Sequence, residues 1–343
     1  MEFSIPDRFR RTWRDLMKLP LLVAGLSFIA NTGMAETPVL TVLTYDSFAS
    51  EWGPGPAIEK GFETICACDL KFITAGDGAA VLARVRLEGA KTDTDVVVGL
   101  DTNLTAAAKA TGFFAPVVAA PNTLPVAFAD PNFIPFDWGW FAFVYDKSKL
   151  ANPPKSLQEL ADSSLKIIIQ DPRSSTPGLG LLMWVKAVYG NKAPELWAAL
   201  ADNIVTVTPG WSEAYGMFLE GESDMVLSYT TSPAYHLIAE KDDSKAAAAF
   251  SDGHYLQIEV AGKLRSTDQP ALADAFLAYL AGDAAQTALI TTNWMYPATT
   301  PAAGLPAGFE TLVIPEKSLL LSADQAEVGR AQAIEEWQTA LSK

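Results

Sequence analysis

The sequence predicts an α/β protein with two lobes, and three observations support this prediction. Strand and helix patterns alternate over roughly sixty residues after position 40, which is typical of a layered fold with a parallel sheet. The length of 343 residues exceeds what one ordinary hydrophobic core holds. A long aromatic segment, 133–146, is long enough to run from one lobe into the other.

The first 35 residues have the pattern of a secretory signal peptide. Five basic residues precede an apolar stretch at 19–30, and Gly33 and Ala35 supply small side chains for cleavage after Ala35. A membrane anchor is the alternative, but this stretch is shorter than the ~20 residues that a spanning helix needs. We therefore predict a signal peptide at 1–35 and an exported, soluble mature protein.

The first predicted lobe begins with regularly alternating elements. Their strands are predicted at 40–44, 70–73 and 95–99, and their helices at 56–63 and 81–87. The apolar strand at 95–99 should be buried on both faces if the sheet is parallel. The aromatic strand at 133–146 follows.

The rest of the chain continues the α/β pattern. We predict helices at 157–160 and 179–189, strands at 166–170, 205–207 and 225–229, and a loop at 171–178. A strand at 255–260 could return the chain to the first lobe, and helices at 271–280 and 323–341 complete it.

The composition excludes several classes of function. There are 40 acidic and 25 basic residues, and removing the leader shifts the net charge from -15 to -17, which is unsuited to nucleic-acid binding. Two histidines and two cysteines argue against a His/Cys-rich metal centre. No nucleophile-elbow, zinc-protease or phosphate-loop motif is present, so no catalytic set emerges around His236 or His254.

Cys66 and Cys68 are predicted to form a disulfide, because an exported chain meets an oxidising compartment. The alternative is a metal-binding pair, which would lack further histidine or cysteine ligands.

Several predicted strands end in aromatic and polar residues, at the sheet edge where functional residues of open α/β sheets collect. Five aromatic side chains could form a cage for a flat or cationic ring: Tyr45, Trp211, Tyr229, Tyr235 and Trp294. Asp46, Asp77 and Glu213 could supply negative charge, and Ser175 and Thr176 precede a helix, where an anion binds well. Taken singly, each feature is equally typical of core packing, an N-cap or a turn, so a structural role stays open.

Long segments of this sequence resemble the periplasmic thiamine-binding proteins of bacterial ABC importers. They include TYDSFASEWGPGP at 44–56, PFDWGWFAFVYDKSKL at 135–150, QDPRSSTPGLGLLMW at 170–184 and GWSEAYGMFLEGESDMVLSYTTSPAY at 210–235. The likeness extends over 96–104, 251–260 and 293–297, and so along essentially the whole mature chain.

The resemblance implies a type II periplasmic-binding-protein fold, in which two α/β lobes are joined by a hinge and hold the ligand in their cleft. Lobe 1 would comprise 36–138 and 257–343, and lobe 2 would comprise 139–256. The implied function is capture of thiamine, and of its monophosphate and diphosphate, in the periplasm and delivery to an inner-membrane ABC permease. We expect a monomer with no cofactor, no resident metal and no enzymatic activity.

Carried over by motif, the implied ligand residues are Asp77, Gly78, Ser175, Thr176, Trp211, Tyr229, Thr230, Thr231 and Ser232. Tyr45, Tyr235 and Trp294 match the family's ring-stacking aromatics. The segment 74–76 departs from the family's usual charged or bulky residues, so the resemblance does not define the shape of that loop.

Three alternatives remain open at this stage. Iron or polyamine receptors share the fold, although Tyr229 and Tyr235 are not adjacent as ferric sites favour, and polyamines call for more carboxylates than these loops carry. A thiaminase-like enzyme would need a nucleophilic cysteine, whereas both cysteines here are expected to be paired. A purely structural role would leave the recurring aromatic and polar loops unexplained.

Overall fold

The computed structural model describes residues 37–342. The predicted signal peptide at 1–35 lies outside these residues. Within the described part, none of the helices combines the length and the apolar character that crossing a membrane requires.

The described chain contains eleven strands and twelve α-helices. The strands are β1 Val39–Thr44, β2 Asp69–Thr74, β3 Val96–Asp101, β4 Ile134–Asp146, β5 Ile167–Gln170, β6 Ile204–Thr208, β7 Met225–Tyr229, β8 Lys245–Ala247, β9 His254–Lys263, β10 Tyr296–Pro297 and β11 Ser318–Leu319. The helices are α1 Asp46–Ala49, α2 Gly55–Cys66, α3 Gly78–Glu88, α4 Thr105–Ala110, α5 Leu157–Ala161, α6 Thr176–Tyr189, α7 Ala193–Leu200, α8 Trp211–Leu219, α9 Pro233–Tyr235, α10 Pro270–Leu280, α11 Asp283–Thr292 and α12 Ala323–Leu341.

The strands follow the order β2-β1-β3-β9-β4-β7-β5-β6, which separates into two lobes at β4. In the first lobe β1 pairs in parallel with β2 and β3, as predicted, and β9 joins β3 to β4 in antiparallel pairing. In the second lobe β7, β5 and β6 are parallel. The predicted two-lobed α/β architecture is confirmed.

Strand β4 belongs to both lobes. Its pairing with β9 ends at Trp140, opposite Leu256, and its pairing with β7 starts at the next residue, Phe141, opposite Tyr229. The aromatic segment therefore does run from one lobe into the other, as its length suggests. Because β9 returns antiparallel beside it, the junction between the lobes is a two-stranded crossing.

The structure differs from the sequence prediction at the start of α6 and in having a helix, α8, at 211–219. Helix α6 starts at Thr176 rather than 179, because Ser175 is extended at the N-cap position and Pro177 fits the first turn, where its missing N–H is not needed. Trp211 opens α8 after an extended Gly210 instead of lying in a loop. Both changes place predicted site residues at helix N-termini.

The C-terminal helix α12 covers the second lobe. It begins with a capping box formed by Ser322 and Gln325, and it packs against α6 and α7 as well as α4. Lys186 Nζ of α6 forms an ion pair with Glu336 at 3.2 Å. The last segment of the chain therefore contacts both lobes.

Cys66 and Cys68 are joined by a disulfide bond between the end of α2 and the start of β2. The residue between them, Ala67, has a left-handed φ of 50°, which turns the chain within this short ring.

Candidate functional site

A cavity of about 330 Å³ lies between the two lobes, which is in the size range of small-molecule sites. Seven predicted ligand residues line it: Tyr45, Asp77, Trp211, Tyr229, Ser232, Tyr235 and Trp294. The other five predicted residues are buried and do not line it: Gly78, Ser175, Thr176, Thr230 and Thr231. Among the lining residues that sequence reasoning missed are Trp52, Tyr215, Glu259 and Asn293.

Aromatic rings from both lobes frame the cavity. Trp52, at the end of the turn after α1, lies 6.4 Å from Trp211 of the second lobe, between ring centroids. Trp211 in turn stacks on Tyr215 at 5.0 Å. Tyr235 meets Trp294 edge-on at 5.6 Å. A flat ligand between these pairs would be contacted from both lobes.

The orientation of Trp211 is fixed by hydroxyl groups behind it. Its indole N–H donates to Ser228 Oγ at 2.8 Å, and Ser228 Oγ shares a 2.7 Å hydrogen bond with Ser232 Oγ. The backbone N–H of Tyr229 also donates to Ser232 Oγ, at 3.2 Å. Ser232 thus lines the cavity and, through Ser228, positions an aromatic wall.

Thr230 and Thr231 act from behind the cavity wall. The Thr230 N–H donates to the Trp140 carbonyl at 2.9 Å, and this bond continues the β4–β7 ladder beyond β7. Thr231 Oγ1 lies 3.5 Å from the sulfur of Met295, which itself lines the cavity. These two predicted ligand residues therefore shape the wall.

Trp294 has a left-handed backbone, with a φ of 56°. This conformation is a rare outlier for a bulky side chain and is found mostly where the surroundings enforce it. The preceding Asn293 supplies an anchor, because its side-chain amide donates to Tyr45 Oη at 3.0 Å and to Asp137 Oδ2 at 2.6 Å. The Trp294 ring is thereby held over the cavity.

Asp77 bridges the two lobes beside the cavity. As the N-cap of α3 it accepts from the Gly78 N–H at 2.9 Å, and its other oxygen accepts from Ser175 Oγ at 2.8 Å. One carboxylate thus lies at the N-termini of α3 and α6, which begin at Gly78 and Thr176. Burial raises the pKa of Asp77, and these hydrogen bonds oppose that rise.

This bridge explains the position of the predicted residues that lie off the cavity. Ser175 and Thr176 do form a helix N-terminus suited to an anion, but the anion found there is the Asp77 carboxylate. A Cβ at Gly78 would overlap Thr176 Oγ1, so the glycine permits close approach of the two helices. A bond from the Ala80 N–H to the Ser174 carbonyl, 3.1 Å, adds to the contact.

A pair of buried carboxyl groups, Asp137 of β4 and Glu259 of β9, lies at the base of the cavity. Tyr45 Oη donates to Glu259 Oε2 at 2.9 Å, and the Gln257 amide donates to Glu259 Oε1 at 2.8 Å. Burial raises the pKa of Asp137 to about 7 and that of Glu259 well above its ordinary range. The sequence does carry a clue to this pair, since charged residues rarely occur within strands as apolar as these.

The crossing strands, the cleft and the rings contributed by both lobes define a two-lobed binding protein that encloses a small ligand. A model of the bacterial extracellular solute-binding proteins matches residues 93–311. The thiamine-binding periplasmic protein of Salmonella typhimurium is 55% identical over 310 residues, covering 89% of this chain and 94% of that protein. That of Escherichia coli is 52% identical over 329 residues, covering 95% and 98%.

A solved periplasmic thiamin binding protein superimposes with a TM-score of 0.87 at 53% identity and covers 90% of this chain and 97% of that one. The chain therefore belongs to the family of the thiamine-binding periplasmic proteins and has their type II fold. Iron-bound HitA from Pseudomonas aeruginosa, at 19% identity and a TM-score of 0.71 over 88% of this chain and 99% of that one, shares the fold alone.

Proposed function

We propose that this protein captures thiamine in the periplasm and delivers it to an ABC importer of the inner membrane. The observation that carries the proposal is a cleft that combines aromatic rings from both lobes with carboxyl groups that have no basic partner. Thiamine presents a cationic thiazolium and a flat aminopyrimidine. Rings and carboxylates favour the first, and stacking with hydrogen bonds holds the second.

The charge of the cleft supports a cationic ligand. Asp77 and Glu259 line it, whereas no lysine, arginine or histidine of the described residues does. Trp211 and Trp294 are only partly buried and Tyr235 is exposed, so their faces remain available to a ring. The free energy of such contacts is greatest in a site that excludes water, which closure of the lobes provides.

We further propose that thiamine monophosphate and diphosphate are ligands, with their phosphate at the start of α6. Ser175 and Thr176 supply hydroxyl and N–H groups there, as an anion requires. The Asp77 carboxylate occupies this position in the structure described, so a phosphate would have to displace it. Phosphate esters would accordingly bind at the expense of one contact between the lobes.

The lobes proposed to close on the ligand are 36–138 with 257–343 and 139–256. The change of partner between Trp140 and Phe141 on β4 falls close to the first boundary and supports it. Helix α12 packs against α6 and α7 despite its place in the first lobe, so we propose that it restrains the relative movement of the lobes.

A binding role without catalysis is proposed, with one copy of the chain as the working unit. The relatives are named as binding proteins. The only two cysteines of the sequence are bonded to each other, and neither lines the cleft, which argues against a thiaminase-like nucleophile. Incubation with thiamine and an amine should leave thiamine intact, and a pyrimidine product would contradict this.

The iron alternative is disfavoured by the chemistry of the tyrosines. Ferric ions bind phenolates, but burial and the neighbouring Glu259 and Asp77 carboxyls raise the pKa of Tyr229 well above its usual value. Tyr45 is affected in the same way, since it is buried beside Glu259 and Asp137. Both hydroxyls therefore stay protonated.

Calorimetry of the mature protein tests the proposal. We expect a 1:1 exothermic titration with thiamine and a change in tryptophan fluorescence, with no signal from ferric citrate or spermidine. Native mass spectrometry of protein purified from the periplasm should show retained thiamine or a phosphate ester of it. Binding of iron or polyamine without any binding of thiamine would overturn the proposal.

A further inference from the structure

We propose that Asp137 and Glu259 are the charge-sensing pair of the cleft: they share one proton when the cleft is empty and release it when the cationic ring binds. This inference rests on the proposed function and adds to it a proton that thiamine displaces. The two strands that connect the lobes, β4 and β9, would then carry the residues that select for a cation.

The pair is built by the register of the crossing strands. Asp137 lies directly opposite Glu259 in the antiparallel ladder of β4 and β9. Residues paired in this way point to the same face of the sheet, with Cβ atoms about 5 Å apart. Asp137 is fully buried and Glu259 is 5% exposed, at the cavity wall. Two carboxyl groups are thus placed side by side, one buried and the other at the cavity wall.

The hydrogen bonds of the pair do not compensate two negative charges. Asn293 donates a hydrogen bond to Asp137 Oδ2, and Gln257 and Tyr45 donate to the two oxygens of Glu259. All three donors are neutral. Asp137 Oδ1 has no hydrogen-bond partner among the described residues. A proton shared with the neighbouring Glu259 carboxyl, which lies opposite Asp137 in the ladder, would satisfy it.

Every charged group that acts on the pair is acidic. Asp77 and Asp101 raise the pKa of Glu259 further, and the phenols of Tyr45 and Tyr229 face the same carboxyl. None of these acids forms an ion pair with a lysine, arginine or histidine within the part of the chain described. Neighbouring buried carboxylates cannot both ionise at low cost, so the empty cleft retains a proton.

A bound thiazolium changes this balance. Its positive charge stabilises the ionised form of both carboxyls, so one carboxylic O–H bond breaks and the proton passes to solvent. The pKa of the pair is high in the empty protein and lower in the complex. The affinity for thiamine therefore rises with pH over the range in which the empty pair still holds its shared proton, and it becomes constant once the empty pair is fully ionised.

Calorimetry in two buffers measures the proton directly. We expect thiamine binding to release up to about one proton near neutral pH, seen as different binding heats in phosphate and Tris, and the association constant to rise by up to ~tenfold per pH unit where release occurs. A neutral isostere with carbon in place of the thiazolium nitrogen should bind more weakly and release none.

Substitutions of Asp137 and Glu259 test whether the released proton comes from this pair. Asp137→Asn should bind thiamine with a much smaller difference in heat between the two buffers, because Glu259 loses its carboxyl neighbour. Glu259→Gln should show the same reduction and replaces the first variant if that one folds poorly. Asp101→Asn is the matched control, because Asp101 is buried with its pKa raised to about 7 but bonds Asn103 and does not line the cleft. It should retain proton release, shifted to lower pH because Asp101 no longer raises the pKa of Glu259.

The outcomes separate the two proposals. Thiamine binding with equal heats in both buffers for the unmodified protein would overturn the proton inference and leave the proposed function standing. Loss of release in Asp101→Asn but not in Asp137→Asn would also overturn it, by assigning the proton elsewhere. Absence of thiamine binding would refute the proposed function itself.

Discussion

Replacing Ser175 with alanine tests whether the Asp77 bridge stabilises the closed cleft. Ser175 Oγ is buried and donates to Asp77 Oδ2 at 2.8 Å across the two lobes. A hydrogen bond to a charged group contributes about 1.5–3 kcal/mol. The Gly78 N–H donor to Asp77 remains in the variant, so we expect a loss near the lower end, about 1–2 kcal/mol, or roughly five- to thirty-fold in Kd for thiamine.

The assay is titration calorimetry, with thermal unfolding of the unliganded protein measured in parallel. Ser174→Ala is the matched control, because the Ser174 hydroxyl donates to the Pro209 carbonyl at 2.6 Å within the second lobe. It should leave thiamine affinity within about twofold, since surface changes rarely exceed 0.5 kcal/mol. Small-angle scattering should show Ser175→Ala more open at the same thiamine concentration.

Two results would refute the reasoning. If Ser175→Ala binds thiamine as tightly as the unmodified protein, the bridge adds nothing to closure. If Ser174→Ala and Ser175→Ala weaken binding equally, the effect belongs to the start of α6 as a whole and not to the contact between the lobes.

The remaining predictions concern the aromatic wall and the packing behind it. Trp294→Ala should weaken thiamine binding by about 1–3 kcal/mol in fluorescence titrations, because one stacking face is lost; unchanged affinity would remove Trp294 from the site, and Tyr235→Ala should act in the same direction. Gly180→Ala should lower the free energy of unfolding by about 1–3 kcal/mol in urea, because a Cβ there overlaps the Phe141 ring. Gly329→Ala in α12 is its control, since a Cβ there meets nothing within 4 Å, and it should be neutral or stabilising.

The parallel layer of β1, β2 and β3 could be predicted from sequence because each strand is a short apolar run between turn residues. The same logic found β4, whose aromatic run continues through 146. It missed α4, α7, α8 and α11, which are only six to ten residues long. Short helices of this kind owe their stability to packing against the sheet, and that information is not local.

The sequence predicted the residues of the candidate site that follow strand ends, but not those that lie within strands. A search of strand ends finds Tyr45, Trp211, Tyr229 and Tyr235, because loops past parallel strands do converge on one edge. This search does not find Asp137 and Glu259, because they lie inside antiparallel strands and reach the cleft only through the register of β4 against β9. The search does not find Trp52 either. Its side chain is 57% exposed, and only its distance to Trp211 in the structure places it at the cleft.

At the start of α6, the sequence predicts an anion-binding site, but only the fold shows which anion lies there. Ser175 and Thr176 form the anion-binding terminus that their sequence suggests, yet the first lobe supplies the anion through Asp77. The contact that joins the lobes and the position proposed for a phosphate are therefore the same place. A phosphate ester bound there would replace an internal carboxylate with its own charge, whereas thiamine has no phosphate to displace it. Under the proposed binding mode, the Asp77 side chain both joins the lobes and discriminates between thiamine and its phosphate esters.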